Sequence, residues 1–114
     1  MTTVTIVWED GQVAQLNSMG HAGTLPAGEN IVCAAVSVLM FTCVNALTSV
    51  AGVTPITTID ERRAAFTVRL PKLDPQAMHD AQIILRTTGQ GLTDISHEYP
   101  RLVQLNILNG RNTP

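Results

Sequence analysis

Cys33 and His21 are the two residues whose chemistry stands out in this sequence. They lie in the stretch GHAGTLPAGENIVCAAVS, which runs from Gly20 to Ser37. A thiolate is the reactive form of cysteine, and a helix N-terminus or a neighbouring imidazole stabilises it. A strand–loop–helix turn can bring these two side chains together, although twelve residues separate them in sequence. The pair could therefore work as a nucleophile and its general base and acid.

The same cysteine also has a purely structural interpretation. A lone cysteine in an apolar helix is usually a small core residue, and its position alone favours that interpretation. Asn30 is suited to cap a helix that begins at Ile31, which would place Cys33 at the third helical position, among free N–H groups. Those groups favour a thiolate and could donate to an oxyanion. Ser37, one turn later, could hydrogen-bond near the thiolate, although a bond to a helix carbonyl is its commoner fate.

The other thiol and the other histidines are predicted to have no chemical role. Cys43 lies deeper in the same predicted helix on another face, where packing is expected. Ten residues of helix separate the two cysteines by about 15 Å, beyond the roughly 7 Å that a disulfide spans. Both should be free thiols, which suits a reducing cytoplasm. His79 and His97 fall on a second predicted helix with no partner in view.

Metal and phosphate sites are not predicted. His21, Cys33 and Cys43 follow no close-paired ligand spacing, and no second pair exists in the sequence. The loop from Gly20 to Gly28 precedes a helix, but it lacks the Lys-Ser/Thr of a P-loop and the GxGxxG pattern. We therefore expect no metal and no cofactor.

The composition predicts one globular domain over residues 1–114. The chain is 45% apolar and 14% charged, with a formal net charge of −2, so it offers no basic footprint for nucleic acid or anionic lipid. The N-terminus shows no signal-peptide pattern, and we expect a cytoplasmic protein. Ile31 to Val53 is long enough to span a membrane, but it carries several polar side chains and no charged or aromatic anchors. We interpret it as a core helix that is buried on most sides, in part by a second copy.

The hydrophobic periodicity predicts seven elements in the order ββαββαβ. The predicted elements are a hairpin with strands around Val4–Trp8 and Val13–Leu16, joined at Asp10-Gly11, a helix from Ile31 to about Ala51, a second hairpin of Pro55–Ile59 and Ala65–Leu70, a helix from Asp74 or Pro75 to Pro100, and a strand from Leu102 to Leu108. Strand pairs between helices favour an α+β two-layer sandwich, with two helices packed on a mostly antiparallel sheet.

Five short motifs closely resemble the ribosomal-processing cysteine proteases of bacteria. They are GHA at 20–22, IVCAAVS at 31–37, NAL at 45–47, GL at 91–92 and YP at 99–100. The resemblance covers nearly the whole chain and implies a cytoplasmic, homodimeric endopeptidase. By the same resemblance, its substrate is the N-terminal extension of large-subunit ribosomal protein twenty-seven, cut after an aromatic-rich peptide.

The resemblance also implies roles for individual residues. Cys33 is the implied nucleophile and His21 the general base and acid, Gly20 leaves room for close backbone approach, and the loop from Ala22 to Glu29 moves to admit the peptide. The chain departs from the family at Asn30, where an acidic residue is usual. A neutral amide can orient an imidazole but cannot stabilise an imidazolium by charge, so we expect retained but weaker activity. The alternative hypothesis is a non-catalytic dimeric module that binds a peptide.

Overall fold

The described residues form five strands and two helices in the predicted order ββαββαβ. The structure, a computed structural model, describes residues 1–20 and 27–110, with residues 27–29 described by their backbone alone. The elements are β1 (Thr2–Glu9), β2 (Gln12–Met19), α1 (Ala27–Ser49), β3 (Ile56–Asp60), β4 (Ala65–Arg69), α2 (Pro75–Glu98) and β5 (Val103–Asn109).

A mixed sheet with the strand order β3-β4-β2-β1-β5 forms one layer. β1 pairs antiparallel with β2 and parallel with β5, and the remaining pairs are antiparallel. The β1–β2 hairpin turns at Asp10 (φ 52°) and Gly11 (φ 78°), the two positive φ angles of a type I′ turn. The predicted α+β class, with its mostly antiparallel sheet, is confirmed.

Both helices pack on one face of this sheet, where the core lies. Alternate strand residues point toward the helices and are buried, while their neighbours on the other face are largely threonine, asparagine and glutamine. The buried apolar strand residues are Val4, Ile6, Val13, Leu16, Phe66, Val68 and Val103. This alternation is the pattern of a sheet that is covered on one side.

The start of α1 differs from the prediction. The helix begins at Ala27, so Asn30 lies inside its first turn and is not the N-cap. Cys33 is the seventh residue counted from Ala27, in the second turn, and not the third helical residue. At its other end α1 stops as predicted: Gly52 has a positive φ of 67°, and its N–H donates to the Thr48 carbonyl at 3.1 Å.

α1 is less buried within one chain than its composition predicts. The segment Asn30–Ser49 has a mean hydropathy of 2.1, long and apolar enough to cross a membrane by length and composition, yet 28% of it is buried. The buried side comprises Val32, Val36, Met40, Cys43 and Leu47. The opposite side is exposed, with Ile31 at 71% and Val38 at 63%. One chain therefore leaves a side of this helix exposed, and the prediction that a second copy covers part of it stays a prediction.

α2 is held to both α1 and the sheet. Asp74 caps it by accepting from the Ala77 N–H at 2.8 Å, as predicted, and Pro75 is its first residue. A Cβ atom at Gly91 would lie 3.1 Å from Leu39, so a glycine here permits close packing of the two helices. The buried Gln82 side chain donates to the Val13 carbonyl at 2.7 Å and accepts from the Val13 N–H at 2.8 Å.

Candidate active site

Cys33 lies half-buried on the second turn of α1, against the end of the sheet where β1 begins and β2 ends. Its Sγ atom is 2.9 Å from the Thr2 hydroxyl oxygen, and either atom could be the donor. A half-buried thiol is reachable from solvent while its orientation is set by the protein. This combination is what a catalytic cysteine requires and what a packing cysteine does not need.

Gly20 forms the second side of this site. It follows β2, and its N–H donates to the Ala64 carbonyl at 3.1 Å, which ties the end of β2 to the β3–β4 turn. A Cβ atom added at Gly20 would lie 3.7 Å from the Cys33 Sγ and 3.6 Å from the Thr2 hydroxyl. A side chain at residue 20 would therefore begin at van der Waals distance from the thiol, a spacing that a Cβ atom tolerates. The role that the resemblance implies for Gly20 stays a prediction.

A mostly apolar pocket of about 370 Å³ adjoins the start of β1. It is lined by residues 98–102, which join α2 to β5, including Tyr99, Pro100 and Leu102. The Leu102 carbonyl accepts from the Thr2 N–H at 2.8 Å, so the wall of the pocket is one hydrogen bond away from the residue that contacts Cys33. The pocket is thus connected through Leu102 and Thr2 to the candidate nucleophile, although Cys33 itself does not line it.

The structure describes some of the remaining predicted site residues and not others. His21 lies outside the described residues, as does most of the predicted mobile loop from Ala22 to Glu29, whose last three residues are helical in α1. The predicted pairing of His21 with Cys33 stays a prediction. Asn30 and Ser37 are both exposed on α1, Asn30 one turn before Cys33 and Ser37 one turn after it.

The free N–H groups at the start of α1, which are the predicted oxyanion donors, lie one turn before Cys33. The free N–H groups of a helix are those of its first turn. Because α1 begins at Ala27, Cys33 lies one turn beyond them, and its own N–H falls within the regular part of the helix. The prediction that helix-start N–H groups surround Cys33 is therefore wrong, since the helix starts earlier than Asn30.

Cys43 has the opposite environment to Cys33. It is 1% exposed within the core, and both cysteines are free thiols. Burial raises the pKa of the Cys43 thiol, an effect that a hydrogen bond with Thr88 of α2 partly offsets. A neutral, inaccessible thiol is a packing residue, as predicted.

The two other histidines are exposed on α2. The His79 Nδ1 atom lies 3.4 Å from a carboxylate oxygen of Asp80, and His97 is in the last turn of the helix. Neither is recorded in contact with Cys33, Thr2 or Gly20 within the described residues.

Thr2 is the site residue that the sequence reasoning missed. One signal was present, because Thr2 leads the series Thr2, Val4 and Ile6, and all three are buried on the helix-facing side of β1. A hydroxyl in an otherwise apolar buried series needs a hydrogen-bond partner. The sequence shows the hydroxyl but not which distant residue pairs with it.

Comparisons with known proteins identify the family. The family model described as cysteine protease Prp matches residues 1–104. A relative from Bacillus subtilis named ribosomal processing cysteine protease Prp is 32% identical over 91 residues, which are 79% of this chain and 81% of the relative.

Two solved structures of the Staphylococcus aureus protease Prp share this fold. One, in complex with a substrate peptide, has a TM-score of 0.82 and 31% identity, over 94% of this chain and 99% of the other. The second, with a covalently linked product peptide, has a TM-score of 0.78 and 32% identity over the same shares of the two chains. These matches favour the catalytic hypothesis over the non-catalytic module. With its half-buried Cys33 at the junction of β1, β2 and α1, the chain belongs to the Prp family of cysteine proteases.

Proposed function

We propose that this protease removes the N-terminal extension of large-subunit ribosomal protein twenty-seven by acyl transfer to Cys33. The observation that carries the proposal is the family match over residues 1–104, together with a half-buried thiol at Cys33 beside Gly20. The Staphylococcus aureus relative was solved with a substrate peptide and with a covalently linked product peptide. Both observations support covalent chemistry on a peptide.

In the proposed mechanism His21 serves Cys33 as general base and then as general acid. The imidazole takes the thiol proton, and the sulfur attacks the scissile carbonyl carbon to form a C–S bond. When the C–N bond breaks, His21 returns the proton to the leaving amine. Water, deprotonated by the same imidazole, then hydrolyses the thioester and regenerates the thiol. Asn30, one turn before Cys33, would orient the imidazole without adding charge.

The pocket between α2 and β5 is suited to an apolar side chain of the substrate. Tyr99, Pro100 and Leu102 line it, and Leu102 is hydrogen-bonded to Thr2 beside the thiol. An aromatic-rich cleavage sequence would bury apolar surface there, which is the main source of affinity in small pockets.

The test is cleavage of the extended ribosomal protein, followed by mass spectrometry. Cys33→Ala should lower the cleavage rate by at least about a thousand-fold, because a nucleophile cannot be replaced by binding alone. Cys43→Ala is the matched control, since it removes the other thiol of the same helix and should keep the cleavage activity. Circular dichroism checks that both variants are folded. Full cleavage by a folded Cys33→Ala variant would contradict the proposal.

We also propose that the protease is a homodimer that pairs through the exposed side of α1. Ile31, Ala34, Ala35 and Val38 share this side at helical spacing, and all four are exposed. No charge occurs from residue 31 to residue 59 to oppose contact with an apolar partner. A second copy would cover the apolar area that one chain leaves in water.

The dimer is tested by sedimentation of a charged variant. Val38→Asp should shift the protein to a monomer, because pairing would bury the new carboxylate. Ile83→Asp is the control, since Ile83 is comparably exposed, at 56%, on α2. The proposal fails if wild-type protein is already a monomer at micromolar concentration.

A cytoplasmic location is part of the same proposal. The substrate is a ribosomal protein, and a thiol nucleophile has to stay reduced, as it does in the cytoplasm. Fractionation of cells that express the tagged protease tests this location.

A further inference from the structure

We infer that Thr2 is a positioning residue for the nucleophile, whose hydroxyl orients the Cys33 thiol and donates a hydrogen bond to its thiolate. The inference rests on the proposed function, in which Cys33 attacks the substrate. The contact that carries it joins the Thr2 Oγ1 atom to the Cys33 Sγ atom at 2.9 Å, between residues 31 positions apart in sequence.

The Thr2 backbone is held in place by the neighbouring segment at the start of β5. Its backbone N–H donates to the Leu102 carbonyl at 2.8 Å, and its Cα is in register with Val103 of the parallel strand β5. The two heavy atoms on the threonine Cβ also restrict rotation about χ1. The hydroxyl is therefore presented from a fixed strand, while Cys33 is presented from α1.

Burial explains why this hydroxyl needs the sulfur. Thr2 is 4% exposed, and it precedes Val4 and Ile6 on the helix-facing side of β1. A buried hydroxyl without a partner is costly, and Cys33 is the partner that the structure records for it among the described residues. Valine has the same shape and would suit a buried strand position better, so packing does not explain a threonine here.

The direction of the hydrogen bond follows from the charge on sulfur. In the thiol form either atom can donate, but a thiolate has no proton and can only accept. The Thr2 hydroxyl would then donate to the charged form, and a hydrogen bond to the charged form favours it. The contact thus stabilises the state of Cys33 that attacks the carbonyl.

A neutral substitution at Thr2 does not add or remove a charged group near the site. The described charged groups on the segments that adjoin the site are the amino group of Met1 beside Thr2, Asp60 to Arg63 at the end of β3 and in the turn that holds Gly20, and Glu98 and Arg101 beside Leu102. His21 and the Glu29 side chain lie outside the described residues. A neutral substitution at Thr2 leaves all of these charges present, so a change in the pH profile reports the hydroxyl.

The first readout is the rate of Cys33 alkylation by iodoacetamide against pH, in proteins that also carry Cys43→Ala. Thr2→Val should move the midpoint of the profile up by about one pH unit, as expected for loss of one hydrogen bond to the thiolate. Below the midpoint the rate should fall about three-fold, because a tenfold smaller thiolate fraction is partly offset by greater nucleophilicity. Thr2→Ser should stay close to wild type.

The second readout is peptide cleavage. Thr2→Val should lower kcat more than it raises KM, because the hydroxyl acts on the nucleophile and not on substrate binding. Thr3→Val is the matched control, as Thr3 is next to Thr2 but on the other face of β1, and it should leave both readouts unchanged. Thermal melts identify any variant that fails to fold, and if Thr2→Val does not fold, alkylation of Thr2→Ala against Thr2→Ser supplies the comparison.

Three results would overturn the inference: an unchanged midpoint in Thr2→Val, a midpoint that moves down, or a Thr2→Ser profile equal to that of Thr2→Val. The failure of the proposed function looks different. If folded Cys33→Ala still cleaves the ribosomal protein, the proposed function is wrong, whereas the alkylation profile continues to report on Thr2 and Cys33 alone.

Discussion

The two cysteines of α1 should differ in reactivity by about three orders of magnitude. Iodoacetamide can reach the half-buried Cys33 in the folded protein, whereas Cys43 is 1% exposed and must wait for the core to open. With a stability of about 5 kcal/mol, at the low end for natural domains, the open form has a population of about 2 in 10,000. Local opening raises this population, so we expect Cys33 to react about a thousand-fold faster.

The raised pKa of Cys43 acts in the same direction. Its cause is burial, which disfavours the thiolate, and only the thiolate reacts with an alkylating agent. At pH 7.5 the folded protein should therefore take up one adduct quickly and the second very slowly. Intact mass spectrometry counts the adducts as a function of time.

Assignment of the adducts needs a protease that cuts between the two residues. Trypsin does not, because the first lysine or arginine of the chain is Arg62. Chymotrypsin can cut after Phe41, which separates Cys33 from Cys43. In concentrated urea both cysteines should react at similar rates. Similar rates in the folded protein, or faster reaction at Cys43, would refute the assignment of Cys33 as the accessible thiol and Cys43 as the buried one.

Three further predictions concern the core and the helix start. Gln82→Met should lower the free energy of unfolding by about 2–4 kcal/mol in urea titrations, because the N–H and carbonyl groups of Val13 both lose their side-chain partner. Gln90→Met, at an exposed site of α2, is the control and should change the free energy of unfolding little. Wild type should lose stability as the pH rises above 9.0, since the Cys43 thiol ionises in the unfolded protein but keeps its proton in the folded one. The urea midpoints measured at pH 8 and at pH 10 should therefore differ less in Cys43→Ala than in wild type. Asn30→Asp should raise the cleavage rate by charge stabilisation of an imidazolium, and an unchanged rate and pH profile would exclude a catalytic role for Asn30.

Much of the secondary structure was predictable because its signals are local. Asp10-Gly11 marks a turn with two positive φ angles, and Asp74-Pro75 marks the start of α2. In each case the residue types act on the backbone beside them. The start of α1 at Ala27 differs from the predicted start at Ile31, because the capping preference of Asn30 does not prevent this residue from lying inside the first turn of a helix.

The sequence by itself determined the element types, their order and the candidate nucleophile Cys33, because periodicity, caps and a family motif can all be read along the chain. Only the tertiary structure decided that β1 lies between β2 and β5, that Gln82 satisfies Val13, and that Thr2 meets Cys33. These contacts join residues 31 and 69 positions apart. No local pattern encodes such a partner, because its identity depends on how the helices and the sheet pack together.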